Sequence, residues 1–146
     1  MRDLPRQLSA GELAELFEGR TRFALLLAAR EDPLGVAREV ARTLSDEEKK
    51  EVLDAHPAIG RPGGLSPRSA REQGAEDDPA VLAELAELNR RYEERFGFRF
   101  VVFVAGRPRS AIVPILRERL GRSREQELET ALDELVSIAI DRWRKR

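Results

Sequence analysis

The sequence predicts an all-α fold, a compact single-domain bundle of about eight helices with one extended connector. Three observations predict it. Serines stand three residues before Glu or Gln at Ser9/Glu12, Ser45/Glu48 and Ser123/Gln126, the spacing at which a side chain and a backbone satisfy each other's orphan donors at a helix start. Apolar residues recur with a helical period over long stretches. Only Phe98 to Val104 looks extended, being short, aromatic and β-branched, and one lone strand cannot make a sheet.

In chain order, the first helix starts after Ser9, and a short one covers Phe23 to Arg30. Asp32-Pro33 signals the next start, a capping oxygen followed by a proline whose missing N–H costs nothing in the first turn, and Leu34, Ala37, Val40, Ala41 and Leu44 form its buried stripe. A fourth helix follows Ser45. Ser66-Pro67 and Asp78-Pro79 repeat the proline signal. The helix after Asp78 carries Leu82, Leu85, Leu88, Asn89, Tyr92 and Phe96 on one face and is closed by Gly97. Another spans Ile112 to Leu120, with Pro114 either in its first turn or kinking it. The last stripe is the longest: Leu128, Ala131, Leu132, Leu135, Ile138, Ala139 and then Arg142.

Composition excludes several function classes. The 146 residues suit one domain, spanning 1–146, and 41% hydrophobic with 36% charged residues allow a proper core under a heavily solvated surface. A formal net charge of -1 favours neither nucleic acid nor an anionic membrane. With no cysteine and one histidine, disulfides, thiolate nucleophiles and the usual zinc sites are excluded, so no metal is expected. The longest apolar run, Phe23 to Ala29, is too short for a membrane span. The start at Met1-Arg2-Asp3-Leu4-Pro5 has no signal core and the end at Arg144-Lys145-Arg146 is no peroxisomal address, so a soluble, cytoplasmic, prokaryotic protein is expected.

Three sets of polar residues stand out of place. His56 follows a helix in Asp54-Ala55-His56-Pro57-Ala58-Ile59-Gly60, and an imidazole of ordinary pKa, ~6.5, can give and take protons near neutrality. Its position alone points no further than a solvated or capping histidine at a helix end. Ser69, Glu72 and Gln73 share one helical face, offering a hydroxyl, a carboxylate and an amide to a flat ligand dense in N–H and C=O groups, or forming an ordinary exposed face. Arg142 extends an apolar stripe, where a guanidinium needs a partner; a substrate carboxylate would serve, unless the side chain snorkels at the helix end. Asn89 reads as a residue that satisfies buried backbone groups.

Read together, Ala55-His56-Pro57-Ala58-Ile59-Gly60, Ser69 with Glu72-Gln73, then Asn89, Tyr92, Phe96-Gly97-Phe98-Arg99-Phe100-Val101-Val102 and the tail from Glu127 to Arg142 resemble a known family over nearly the whole chain. The family is the decarboxylases of 2-oxo-4-hydroxy-4-carboxy-5-ureidoimidazoline (OHCU), which carry out the last step from urate to (S)-allantoin. The resemblance implies His56 as acid/base and Glu72 as its catalytic companion. It implies that Pro57, Ser69, Glu72 and Gln73 line the ligand, that Phe100, Val101, Val102, Phe103 and Val104 wall the pocket, and that Arg142 is the family's late arginine. It also implies a small-molecule substrate and a homodimer. The chain departs from the family's pattern at Ala58, where a charged residue is common, at Phe23, where tryptophan is frequent, and in a short loop to Ser69.

The substrate's own chemistry removes the need for a cofactor. Loss of CO2 leaves an electron pair that the neighbouring ring C=N can accept, so neither pyridoxal nor thiamine is called for. The protein must orient the carboxylate, place donors at the developing charge and deliver one proton stereospecifically. A non-catalytic helical binding or scaffold protein fits the caps and stripes equally well. What separates the two is whether the polar residues meet at one concave point.

Overall fold

The computed structural model describes residues 3–59 and 78–145, and their secondary structure is entirely helical. Seven helices occur among these residues: α1 (Ala10–Leu16), α2 (Arg22–Ala28), α3 (Ala37–Thr43), α4 (Asp46–Ala55), α5 (Pro79–Phe96), α6 (Arg109–Leu120) and α7 (Arg124–Arg144). The helix start expected at Ser66-Pro67 lies outside the described residues.

The local signals act where the sequence places them. All three capping boxes are formed, with the serine hydroxyls of Ser9, Ser45 and Ser123 each accepting from the backbone three residues on. The Asp78 carboxylate accepts from the Ala80 N–H at 2.9 Å and Pro79 opens α5, while Gly97 closes it at φ 80°, a left-handed cap that a Cβ would strain.

Two starts differ from expectation. α3 begins at Ala37 rather than after Asp32, because Asp32 sits at φ 51° with its N–H on the Arg6 carbonyl and cannot take the extended geometry of a cap. Its stripe is nevertheless buried as expected. α6 begins at Arg109, three residues before Ile112, so Pro114 falls in its second turn and has no N–H to offer the Ser110 carbonyl.

A single apolar cluster draws on every helix. α7, the longest element, packs against α1, α3 and α4, and α5 packs along α6. Phe17 and Phe23 meet edge-on at 5.1 Å, and Tyr92 touches Phe96, Phe98 and Phe100 with ring centroids 4.6 to 5.8 Å apart.

The segment Phe98 to Val104 forms neither helix nor strand, yet Phe98, Phe100, Val101, Val102 and Val104 are buried. A buried backbone without a sheet ladder must find other partners. Charged side chains supply them. Arg119 Nη1 donates to the Val101 carbonyl at 2.8 Å, Arg107 donates to the carbonyls of Phe103 and Val104 at 2.6 and 2.8 Å, and the Asp54 carboxylate accepts from the Arg99 N–H at 3.0 Å.

Arg119 is itself buried and held by Glu127, which is fully buried and receives Arg119 Nε at 2.7 Å, Arg122 Nη1 at 2.9 Å and the Tyr92 hydroxyl at 2.6 Å. Burial and the Glu127 carboxylate raise the Tyr92 hydroxyl well above its ordinary pKa, so it remains a donor. This network joins α5, α6 and α7 to the connector. The bonds of Arg99 to Asp54 and His56 put the connector beside the end of α4.

Candidate active site

His56 is placed by its successor. A residue before proline is driven out of the helical region, and His56 accordingly takes φ -79°, ψ 135° and ends α4, with its N–H on the Leu53 carbonyl at 3.2 Å. The side chain then turns inward. Only 8% of His56 is exposed, and Nδ1 has no hydrogen-bond partner among the described residues.

The chain around it is pinned from two sides. Arg99 Nη1 donates to the carbonyls of Asp54 and His56 at 3.0 and 2.8 Å, and Asn89 Nδ2 donates to the Ile59 carbonyl at 3.0 Å. Asn89 therefore satisfies a buried backbone group, as its place on the α5 stripe implies. Pro57 is half-buried between these two anchors.

Arg142 comes from α7. Its side chain is 1% exposed; Nη1 donates to the Leu16 carbonyl at 3.0 Å and Nη2 lies 3.1 Å from Glu18 Oε1. The snorkelling alternative fails, since the guanidinium is buried. Nor does the cation depend on a substrate for its partner, because the last turn of α1 supplies a carbonyl that no helical N–H can reach and Glu18 supplies a carboxylate.

These charges act on the imidazole. Burial foremost, then the Arg142 cation and, less strongly, that of Arg99, lower the His56 pKa to about 4, while the Glu18 carboxylate opposes them. The resting imidazole is thus neutral near pH 7, where one of ordinary pKa would be partly protonated, and can accept a proton before it gives one.

Among the expected site residues, His56, Pro57, Arg142 and Phe100 to Val104 fall in the described structure, while Ser69, Glu72 and Gln73 lie outside the described residues. Phe100, Val101, Val102 and Val104 are buried and Phe103 is half-buried, on the segment that Arg99 ties to His56. Glu18 and Arg99 are the residues that sequence reasoning missed. Arg99 left a signal, a charge inside a buried aromatic run. Glu18 left a weaker one, a carboxylate just before Gly19 where the first helix ends.

No three His, Cys, Asp or Glu side chains converge to hold a metal among the described residues. A cleft of about 300 Å³ between α3 and α7, floored by Ala41, Leu128 and Leu132 and rimmed by charges of both signs, shares no residue with the His56 region. No helix of the described residues is long and apolar enough to cross a membrane.

The described helices bury a neutral imidazole within the electrostatic reach of a buried guanidinium–carboxylate pair. Comparison with known proteins narrows this. The OHCU decarboxylase family model matches residues 3–144, and the chain belongs to that family.

A solved OHCU decarboxylase, crystallised in the presence of (S)-allantoin, superposes with a TM-score of 0.76 at 26% identity, covering 92% of this chain and 96% of that one. The fold is also that of an (S)-allantoin synthase, with a TM-score of 0.66 at 24% identity over 91% of this chain and 47% of the other. By sequence, a uric acid degradation bifunctional protein of a Bacillus species is 32% identical over 71% of this chain and 22% of its own length. The OHCU decarboxylase of Halalkalicoccus jeotgali is 30% identical over 72% of this chain and 64% of its own length. The chain thus spans under two thirds of both relatives. The putative human OHCU decarboxylase is 30% identical over 90% of this chain and 86% of its own length.

Proposed function

We propose that this chain decarboxylates OHCU to (S)-allantoin without a cofactor, in the degradation of urate, with His56 as the general acid/base. The observation that carries this reading is the buried, neutral His56 imidazole, its Nδ1 without a partner among the described residues, within the electrostatic reach of Arg142. Family membership supplies the substrate and the argument from chemistry supplies the steps.

Arg142 holds the substrate's carboxylate side by its fixed guanidinium. As CO2 leaves, the electron pair of the broken C–C bond forms a C=C bond to the neighbouring carbon and displaces the adjacent ring C=N pair onto its nitrogen, which takes up a proton from solvent. The hydroxyl on the former carboxyl-bearing carbon then becomes a carbonyl, losing its proton, while the neighbouring carbon gains one on a single face. A neutral imidazole suits that exchange, because it takes the hydroxyl proton and returns it to carbon. A site dry enough to keep His56 unprotonated also strengthens every charge interaction within it.

Glu72 is proposed as the companion of His56, with Pro57, Ser69, Gln73 and the Phe100 to Val104 connector lining the ligand. The proposal extends to a homodimer, which sedimentation of the purified protein tests directly. The reaction itself is tested by adding freshly generated substrate and following the optical rotation of the allantoin formed. Spontaneous decay gives a racemate, so a persistent single-handed rotation supports the reading and a racemate at every enzyme concentration overturns it.

A further inference from the structure

The turn that ends α1 carries a conformation its sequence does not favour. Gly19 N–H donates to the Ala14 carbonyl at 2.9 Å, the six-to-one bond of a helix end that requires the preceding residue to be left-handed. That preceding residue is Glu18, at φ 63°. The glycine stands one position late. A non-glycine residue persists in this region only where its surroundings over-determine it, and such residues cluster at functional sites.

The turn folds the Glu18 side chain back toward α7. There its carboxylate lies 3.1 Å from Arg142 Nη2, while the Leu16 carbonyl from the same helix end holds Nη1 at 3.0 Å. Two acceptors two residues apart thus fix both terminal nitrogens of a guanidinium that is almost wholly buried. We propose that Glu18 is a positioning residue of the site, whose carboxylate fixes where the Arg142 guanidinium meets the anionic group of the substrate. The proposal rests on the functional reading above for the identity of that substrate.

A second consequence concerns His56. Among the described residues, the charged groups that act on the imidazole are Arg142 from α7, Arg99 from the connector and Glu18 from the α1 turn. Glu18 is the negative member of that set. It offsets cations that would otherwise hold the imidazolium at a still greater disadvantage.

The test uses Glu18→Gln, which keeps the side chain's length and one acceptor oxygen but not its charge, and Glu18→Asp, which keeps the charge on a shorter arm. For Glu18→Gln we expect KM to rise on the order of tenfold with a smaller change in kcat, because the lost charge-assisted bond positions rather than reacts. The sequence contains one histidine, so NMR titration of the ring needs no assignment. From pH 7 downward, the imidazolium fraction at any given pH should be lower in Glu18→Gln than in the wild type, and Glu18→Asp should recover part of both effects. Unchanged KM and unchanged titration in Glu18→Gln, with or without a shift in melting temperature, overturn the proposal. Should the wild-type protein fail to turn over OHCU, the functional reading falls by itself. The titration then decides alone: a shifted His56 sustains Glu18 as part of the site, and an unshifted one removes it.

Discussion

Arg99 donates from Nη1 to the carbonyl oxygen of His56 at 2.8 Å, so the buried connector also fixes the backbone of the histidine. The arrangement follows from two local rules. Pro57 ends α4 at His56 and leaves its last carbonyls without helical partners, and the buried connector needs partners of its own. One arginine serves both ends, since its backbone N–H also reaches the Asp54 carboxylate at 3.0 Å.

Arg99→Ala should therefore damage catalysis more than stability. It frees two partly buried carbonyls, a loss of about 1–3 kcal/mol, while His56 loses its anchor and kcat/KM falls at least tenfold. Arg99→Lys should recover most of the stability and little of the rate, because a flexible ammonium can donate to the two carbonyls but does not hold them in the fixed geometry of a guanidinium that Glu93 also anchors through Nε. Denaturant melts and steady-state kinetics on both variants check this; equal kinetics for wild type and Arg99→Ala would contradict it.

The lowered His56 pKa makes a signed prediction. Between the ordinary value of 6.5 and about 4, an unfolded chain holds a proton on the imidazole that the folded chain does not. Stability is therefore unaffected by this group above pH 6.5 and is lost progressively as pH falls toward 4, by about 3 kcal/mol in all. Glu48, Asp46 and Glu87, whose carboxyls are lowered chiefly by bonds to Ser45, Arg124 and Arg90, act only below about 4.5. His56→Gln should flatten the stability curve between pH 6.5 and 4.5, measured by urea melts, and should reduce turnover by a factor on the order of 10²–10⁴.

Arg142→Ala should destabilise the protein, since it leaves the Glu18 carboxylate and the Leu16 carbonyl without their cation. A loss of about 2–3 kcal/mol is expected, below the roughly 3–5 kcal/mol of a fully buried pair because Glu18 retains some exposure. Arg142→Lys should keep part of that stability but bind substrate almost as poorly as alanine, a point charge being unable to serve Glu18, Leu16 and a substrate together. Thermal melts with steady-state kinetics separate these effects, and full activity in the lysine variant would refute a role for the guanidinium in holding the substrate.

The Glu127 network should matter to folding before it matters to chemistry. Tyr92→Phe removes one donor, leaves both arginines on the carboxylate and should cost about 1–2 kcal/mol with activity retained. Glu127→Ala strips Arg119, Arg122 and Tyr92 at once and should cost at least about 3–5 kcal/mol. Melting curves decide between them; a Glu127→Ala protein as stable as Tyr92→Phe would show that the buried charges are compensated some other way.

The sequence by itself determined the local structure and the identity of the acid/base candidate. Capping boxes at Ser9, Ser45 and Ser123, the Asp78-Pro79 start and the Gly97 stop are interactions within four residues, so spacing alone specifies them. The His56-Pro57 pair likewise fixes where α4 ends, because proline constrains its neighbour whatever surrounds it. Asp32-Pro33 misled for the opposite reason: Asp32 is claimed by the distant Arg6 carbonyl, and its left-handed φ overrides the local cap signal.

Tertiary structure alone decided the partners of the charges. Arg142 and Glu18 stand far apart in the chain, as do Arg99 and Asp54, or Glu127 and Tyr92. Periodicity tells that a polar group is buried, but not which remote group crosses to meet it. Coulombic and hydrogen-bond energies depend on a separation of a few ångströms that only the packing of α1 and α4 against α7 sets. The same packing, by excluding water and bringing cations near, turns an ordinary imidazole into one that is neutral at rest.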